Sequence, residues 1–185
     1  MVSTNDFKTG LTLLMDGAIY TVAEFQHVKP GKGGAFVRTK LKRMRDGSVI
    51  ERTFRVGEKF DEAYIEERKL QFQYRTGESF HFMDLSSYEE IALEIKQVGE
   101  SAGFVKENME CVGQFFQGQF MSLELPIFVE LRIEETEPGI RGDTSKAGTK
   151  PAKVETGATI QVPLFVDQGE TIKVDTRTGS YVSRA

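Results

Sequence analysis

The sequence predicts an all-β protein made of small β-barrels in series. Short runs alternate between hydrophobic and polar residues, with turn residues about every 8 to 12 positions. Asp-Gly pairs, which favour the type I′ turns of tight hairpins, occur at Asp16-Gly17 and Asp46-Gly47. A chain of 185 residues with 39% hydrophobic content suits one large β domain or two to three small ones. The turn spacing favours three domains: residues 1–63, 64–126 and 127–185.

The first domain is centred on a long hairpin. Residues 19–28 and 35–44 both alternate in hydrophobicity and flank a glycine-rich loop, as paired strands do. The charged stretch 57–67 shows no clear alternation, so it predicts the first domain boundary, with a linker near Asp61 and Glu62.

The loop of this hairpin is the main candidate functional segment. It holds three of the 18 glycines within four residues, and Lys32 stands among them. Because glycine has no side chain and no carboxylate is close in sequence, the Lys32 ammonium should stay solvated and free to reach outward. The tip loop consists of Lys29, Pro30, Gly31, Lys32, Gly33 and Gly34.

The strand that follows the loop is strongly basic. From His27 to Arg55 there are nine basic residues and two acidic ones, a net charge of +7. The two-residue period of a strand puts Val37, Thr39 and Leu41 on an inner face and Arg38, Lys40 and Lys42 on an outer face. Met44 is out of phase with Leu41, which predicts a bulge near Lys42 and Arg43. The candidate nucleic-acid contacts are Arg38, Lys40, Lys42, Arg43 and Arg45.

Any hairpin tip can carry Gly and Lys, so the loop alone does not indicate a function. The loop and the basic strand together favour contact with nucleic acid.

The second and third domains each have the pattern of a further small barrel. In the second, Ser87 to Glu90 has the spacing of a capping box and predicts a short helix to about Ile95. In the third, a polar loop over 134–150 includes Gly142, Asp143 and Thr144. Its 17 residues exceed the usual length of a loop in a compact domain, and a functional loop and a merely mobile one are both open.

Composition and motifs give little support for enzyme chemistry. His27 and His81 fall in different domains, and no metal-ligand spacing occurs, so no catalytic residue, metal or cofactor is expected. The single cysteine, Cys111, excludes an internal disulfide and suits a reducing compartment. Without a signal peptide or an apolar run of membrane-spanning length, a cytoplasmic protein is expected, with no membrane partner.

Charge also differs between the ends of the chain. Residues 1–63 carry 11 basic and 8 acidic residues, a net charge of +3. Since the whole chain has a net charge of −4, the remaining residues carry a net charge of −7. One end is therefore suited to phosphate and the other is not, although the acidic end is also explained as solvated surface.

Several segments resemble the bacterial elongation factor P family over the whole chain. They are residues 29–36 (Lys-Pro-Gly-Lys-Gly-Gly-Ala-Phe), 137–144 (Glu-Pro-Gly-Ile-Arg-Gly-Asp-Thr), 150–169 and 181–184. The third segment matches the family signature at Lys150, Ala152, Gly157, Ile160, Val162, Pro163, Val166 and Gly169.

The resemblance implies a KOW-like (SH3-like) N-terminal barrel followed by two OB-fold barrels, in a chain roughly shaped like tRNA. It implies that the protein is a monomer whose partners are the ribosome, rRNA and peptidyl-tRNA. Lys32 aligns with a tip residue that many members carry as a modified lysine, which would make a modifying enzyme a further partner. Gly142, Asp143 and Thr144 align with a loop near the small subunit, and Tyr181 and Arg184 belong to the shared C-terminal motif. Gly34 departs from members that have a bulkier residue there.

The expected function is therefore non-enzymatic help to peptide-bond formation on the ribosome, above all at consecutive prolines. A second hypothesis is a general single-stranded RNA-binding protein built from OB barrels. A third, an enzyme that depends on Lys32, is disfavoured because a nucleophilic lysine needs a desolvated pocket and this one lies in a glycine-rich tip.

Overall fold

The computed structural model describes residues 1–139 and 148–185. In these ranges three separate β-sheets, of six, five and five strands, account for most of the regular structure, which confirms the all-β class. The chain divides into two compact units. Met1–Glu67 and Gln114–Ser122 form the first, and Arg68–Gly113 and Leu123–Ala185 form the second.

The first sheet has the order β1-β6-β2-β3-β4-β5, so β3 and β4 are both interior strands. Its strands are β1 (Val2–Ser3), β2 (Thr12–Met15), β3 (Ala18–Val28), β4 (Phe36–Arg43), β5 (Val49–Arg55) and β6 (Lys59–Glu62). A short 3₁₀ helix, Thr4–Asp6, follows β1. The sheet curls around a core that includes Leu13, Tyr20, Val22, Val37, Leu41 and Phe54. Phe7 closes this core, with its ring edge-on to that of Phe54 at 6.1 Å.

The two Asp-Gly turns differ from each other. Asp16 and Gly17 have φ of 52° and 74°, as a two-residue type I′ turn requires, which confirms the prediction there. At the second pair only Gly47 has positive φ, and the Gly47 N–H donates to the carbonyl of Arg43 at 2.9 Å. Asp46 instead accepts the Ser48 N–H at 3.0 Å, so β4 and β5 are joined by a longer loop and the type I′ prediction is wrong.

The predicted bulge near Lys42 and Arg43 is also wrong. β4 pairs with β5 without a register shift, and the irregularity lies in β3, between Val22 and Glu24. Met44 lies in the turn after β4, where the alternation of a strand no longer applies.

The predicted linker near Asp61 and Glu62 is a strand instead. Both residues belong to β6 and pair with β2, opposite Leu14 and Leu13 respectively. Only residues 63–65 separate β6 from the next strand.

The second sheet has the order β11-β10-β7-β8-β9. Its strands are β7 (Glu66–Thr76), β8 (Ser79–Asp84), β9 (Glu90–Glu94), β10 (Glu110–Phe116) and β11 (Gln119–Glu124). The helix predicted from Ser87 to Ile95 is largely wrong, because this segment forms a turn and then β9. Asp84 accepts the Ser86 N–H at 2.8 Å, and Tyr88 has φ of 61°, which a helix does not allow. A helix, α1, covers only Ile95–Val98, and a 3₁₀ turn, Gly99–Gly103, follows it.

The third sheet has the order β14-β13-β12-β15-β16. Its strands are β12 (Phe128–Thr136), β13 (Thr149–Val154), β14 (Thr159–Pro163), β15 (Thr171–Asp175) and β16 (Ser180–Arg184). Fully buried Leu131, Ile133 and Ile172 lie at its centre. The predicted polar loop 134–150 is shorter than expected, since β12 extends to Thr136 and β13 begins at Thr149. Gly142, Asp143 and Thr144 lie outside the described residues.

Candidate nucleic-acid interface

In the structure the tip loop covers residues 29–35, one residue more than the sequence predicts, and it joins the two interior strands β3 and β4. Gly33 has φ of +111°, a conformation that side chains with a Cβ rarely adopt, so glycine is required there for local geometry. At Gly31 and Gly34 a Cβ would meet nothing within 4 Å, so the loop borders open space. Lys32 is exposed, and its side chain makes no hydrogen bond or ion pair in residues 1–139 and 148–185. The structure therefore presents Lys32 as a solvated cation, as expected from the sequence.

Strand β4 has the two faces that the alternation predicts. Val37, Thr39 and Leu41 are fully buried on the inner face. On the outer face Arg38 and Lys42 are exposed, and neither side chain is paired within the described ranges. The core therefore fixes which way the outer cations point.

Lys40, the middle cation of the outer face, is already paired. Its Nζ lies 2.8 Å from Glu24 Oε2 on β3, with 45% of the lysine side chain and 70% of the glutamate side chain exposed. The hydrogen bond to Glu24, together with the charge of that carboxylate, raises the pKa of Lys40, and the charge of Glu51 acts in the same direction. Lys40 thus remains protonated but is partly neutralised by its neighbours.

Arg43 is the last residue of β4 and does not lie on its outer face. It shares the parity of Leu41, and its Nη2 donates to the Tyr20 hydroxyl at 3.1 Å. Its guanidinium carbon lies 5.6 Å from the centre of the Tyr20 ring, and Nη1 lies 3.3 Å from Asp46 Oδ2. The hydrogen bonds to Tyr20 and then Asp46 raise the pKa of Arg43. Arg43 is therefore held by the protein itself.

The cations of the first unit thus separate into two groups. Arg52 joins Lys40 and Arg43 in the paired group, with Nη2 at 3.4 Å from Asp16 Oδ2. Over the part of the chain that the structure describes, the exposed cations of the tip loop and β4 region with no side-chain partner are Lys29, Lys32, Arg38, Lys42 and Arg45.

Sequence reasoning missed Glu24 and Tyr20 as members of this surface. Glu24 lies just before the basic segment from His27 to Arg55, and only the pairing of β3 with β4 brings it to Lys40. The sequence shows an acidic residue on the preceding strand, but the residue that it faces is set by the register between the two strands.

The C-terminal residues Tyr181 and Arg184 lie in the other compact unit. Tyr181 packs against the core of the third sheet. Arg184 Nη2 donates to the carbonyl of Phe165 at 2.8 Å and lies 3.3 Å from Glu170 Oε1. Its guanidinium also lies 4.9 Å from the centre of the Phe165 ring, so these contacts hold β16 in place.

Other kinds of site find little support in the described ranges. No group of three His, Cys, Asp or Glu side chains there is arranged to hold a metal ion. Cys111 is buried, and burial raises the pKa of its thiol to about 12, which leaves almost no thiolate at neutral pH. No helix in the same ranges has both the length and the apolar character that a membrane span needs.

The fold and the candidate site define a class of all-β proteins: a small curled β-sheet with an exposed cationic hairpin, followed by two further β-sheets. Family models agree with this class. The Elongation factor P (EF-P) KOW-like domain matches residues 3–60, the Elongation factor P (EF-P) OB domain matches 65–123, and the model Elongation factor P, C-terminal matches 129–184.

Relatives and solved structures point the same way. Elongation factor P of Natranaerobius thermophilus is 53% identical over all of this chain and 98% of its own length, and that of Moorella thermoacetica is 53% identical over the full length of both. Translation initiation factor 5A from Methanococcus jannaschii is 25% identical, with a TM-score of 0.54 over 64% of this chain and 88% of its own. A translation initiation factor eif-5a family protein from Naegleria fowleri, at 14% identity, has a TM-score of 0.53 over 67% of this chain and 96% of its own and shares the fold.

The chain belongs to the elongation factor P family. It is a translation elongation factor associated with the ribosome, and not an enzyme. The general RNA-binding alternative is not favoured.

Proposed function

We propose that this factor binds the ribosome beside peptidyl-tRNA and stimulates peptide-bond formation, above all between consecutive prolines. The observation that carries the proposal is the placement of Lys32. It is an exposed cation with no side-chain partner in the described ranges, on a seven-residue loop between two interior strands. Such a residue contributes nothing to the core, so its position is best explained by contact with another molecule.

The proposed mechanism is positional. The proline ring fixes φ and constrains the reacting nitrogen, so peptidyl-tRNA that ends in proline is poorly oriented for transfer. A factor that holds this tRNA corrects the geometry while the ribosome performs the chemistry. Cationic groups beside the acceptor end also stabilise charge that develops in the reaction.

Each part of the interface has a separate task in this proposal. Lys32, with or without a modification added by a partner enzyme, reaches toward the acceptor end of the tRNA. Arg38 and Lys42 bind phosphates of tRNA or rRNA, since both are exposed and unpaired within the described part of the chain. Gly142, Asp143 and Thr144 are proposed, from the family resemblance, to face the small subunit.

A reconstituted translation system tests this function directly. Two templates would differ only in a run of three prolines or three alanines, each translated with and without the factor. We expect a stall on the proline template that the factor relieves, and little effect on the alanine template, because the positional correction matters most where the uncatalysed geometry is worst. Equal stimulation of both templates would contradict the proposal. The factor should come from its native host, so that any modification of Lys32 is present.

The outer face of β4 gives a second, independent prediction. Arg38→Gln with Lys42→Gln should weaken ribosome binding and make it less dependent on salt. Each lost phosphate contact makes the negative slope of log K against log salt shallower by about 0.7 to 0.9. Filter binding over a salt series measures this slope. Lys8→Gln with Arg52→Gln is the matched control for the loss of two charges, since Lys8 is exposed outside the tip loop and β4 and Arg52 is already paired with Asp16. An unchanged slope in the double variant would mean that this face does not contact phosphate.

A further inference from the structure

Two glutamates on the neighbouring strands flank the middle of the basic strand β4. The register of the sheet places Lys40 between Glu24 on β3 and Glu51 on β5. One lysine and two carboxylates give this patch a net charge of −1, whereas Arg38 and Lys42 on either side of it have uncharged residues opposite them. These are Gln26 and Thr53 for Arg38, and Thr21 and Val49 for Lys42.

We propose that Glu24 and Glu51 are specificity-determining residues that divide the basic strand into two separate phosphate sites. One site lies at Arg38, on the side of β4 toward the tip loop, and the other lies at Lys42, on the side toward Arg45. This inference rests on the proposed function, because it takes the bound polyanion to be RNA.

The separation of the two sites follows from strand geometry. Four residues along β4 separate Arg38 from Lys42, which is about 13 Å at roughly 3.3 Å per residue. The Debye length at physiological ionic strength is about 8 Å, so a phosphate bound at one site is largely screened from the cation of the other.

The glutamates favour folded RNA over an extended strand. An extended single strand lying along β4 brings phosphates next to Glu24 and Glu51, where like charges repel. A folded RNA that contacts β4 only at its two ends avoids this repulsion. The carboxylates therefore produce specificity by weakening the binding of an extended strand, and not by strengthening the binding of a folded RNA.

The ion pair itself has little structural purpose. Glu24 is largely exposed and Lys40 is nearly half exposed, and ion pairs at such surface positions contribute little to folding. Replacing Glu24 should therefore leave the unfolding midpoint unchanged, which makes a binding experiment straightforward to interpret.

The test compares binding of the full-length protein to a fluorescent single-stranded oligouridylate over a salt series. Glu24→Gln with Glu51→Gln should bind about fivefold more tightly near 50 mM salt, with a slope steeper by about 0.7, because Lys40 becomes one additional phosphate contact. Adding Lys40→Gln should return the slope to its wild-type value, because the additional phosphate contact is lost, and should leave only the smaller gain that comes from removing the repulsion. Glu100→Gln with Glu124→Gln is the matched control, since both residues are exposed, lie in the other compact unit and change the net charge equally, from −4 to −2.

Three outcomes would overturn the inference: no gain in the double variant, an equal gain in the control, or a slope that stays steeper than in the wild type after Lys40→Gln. These outcomes are independent of the proline-template experiment. If the wild-type factor fails to relieve the proline stall, the proposed function fails, whereas the oligouridylate measurements still decide whether the two glutamates oppose an extended strand.

Discussion

Lys32→Ala is expected to abolish most of the relief of proline stalls while the protein stays folded. Lys32 is exposed and its side chain makes no hydrogen bond or ion pair within residues 1–139 and 148–185, so its truncation should change the free energy of unfolding by no more than about 0.5 kcal/mol. Activity should fall sharply, because in the proposed mechanism this side chain is the one that approaches the acceptor end of the tRNA. Thermal unfolding and the proline-template translation assay measure the two effects on the same sample.

Lys8→Ala is the matched control for this substitution. Lys8 is an exposed lysine of the same compact unit, outside the tip loop and β4, and its loss should affect neither stability nor translation. If Lys32→Ala unfolds the protein, or translates the proline template as well as the wild type does, the role assigned to the tip is wrong.

Leu41→Ala is expected to destabilise the first compact unit strongly. Leu41 is fully buried in the core of the first sheet, and removing a buried leucine side chain costs about 2 to 5 kcal/mol through lost burial and the cavity that remains. Urea denaturation followed by circular dichroism should show a lower midpoint for the transition of the first unit.

The neighbouring residue provides the control for this experiment. Lys42→Ala changes the next residue of β4, which points to the opposite face, and should shift the free energy of unfolding by no more than about 0.5 kcal/mol. Similar losses in both variants would mean that the two faces of β4 are not distinct as described.

The sequence was sufficient to predict the central hairpin and its two faces. Alternation over residues 35–44 requires a buried core side, and Val37, Thr39 and Leu41 are indeed fully buried. The glycines around Lys32 likewise predicted an exposed tip, because no local side chain could cover it.

The pairing of Lys40 could not be predicted, because it depends on a bulge in another strand. Without the irregularity between Val22 and Glu24, continuing from the Val22–Leu41 pair would set Ala23 opposite Lys40. The bulge advances the register by one residue and brings Glu24 there instead. Such an irregularity is set by packing across the sheet, and the hydrophobic alternation within one strand carries no information about that packing.

The short helix expected near Ser87 is absent for a local reason. Ser and Glu at capping-box spacing are compatible with a helix. In the structure, however, the carboxylate of Asp84 accepts hydrogen bonds from the backbone N–H groups of Ser86 and Ser87. These two hydrogen bonds favour a turn, and Ile91 and Leu93 then alternate as a strand. Local competition for backbone donors therefore decided the structure of this segment.

The short loop that carries Lys32 also limits the volume in which its ammonium can move. Three residues separate Lys32 from each anchoring strand, residues 29–31 on one side and 33–35 on the other. A group on so short a tether remains close to whatever its base is bound to, and its effective concentration there far exceeds that of a free amine in solution. Once the hairpin is bound, the tip therefore needs no further diffusional search, and its arrival is limited by docking of the whole factor.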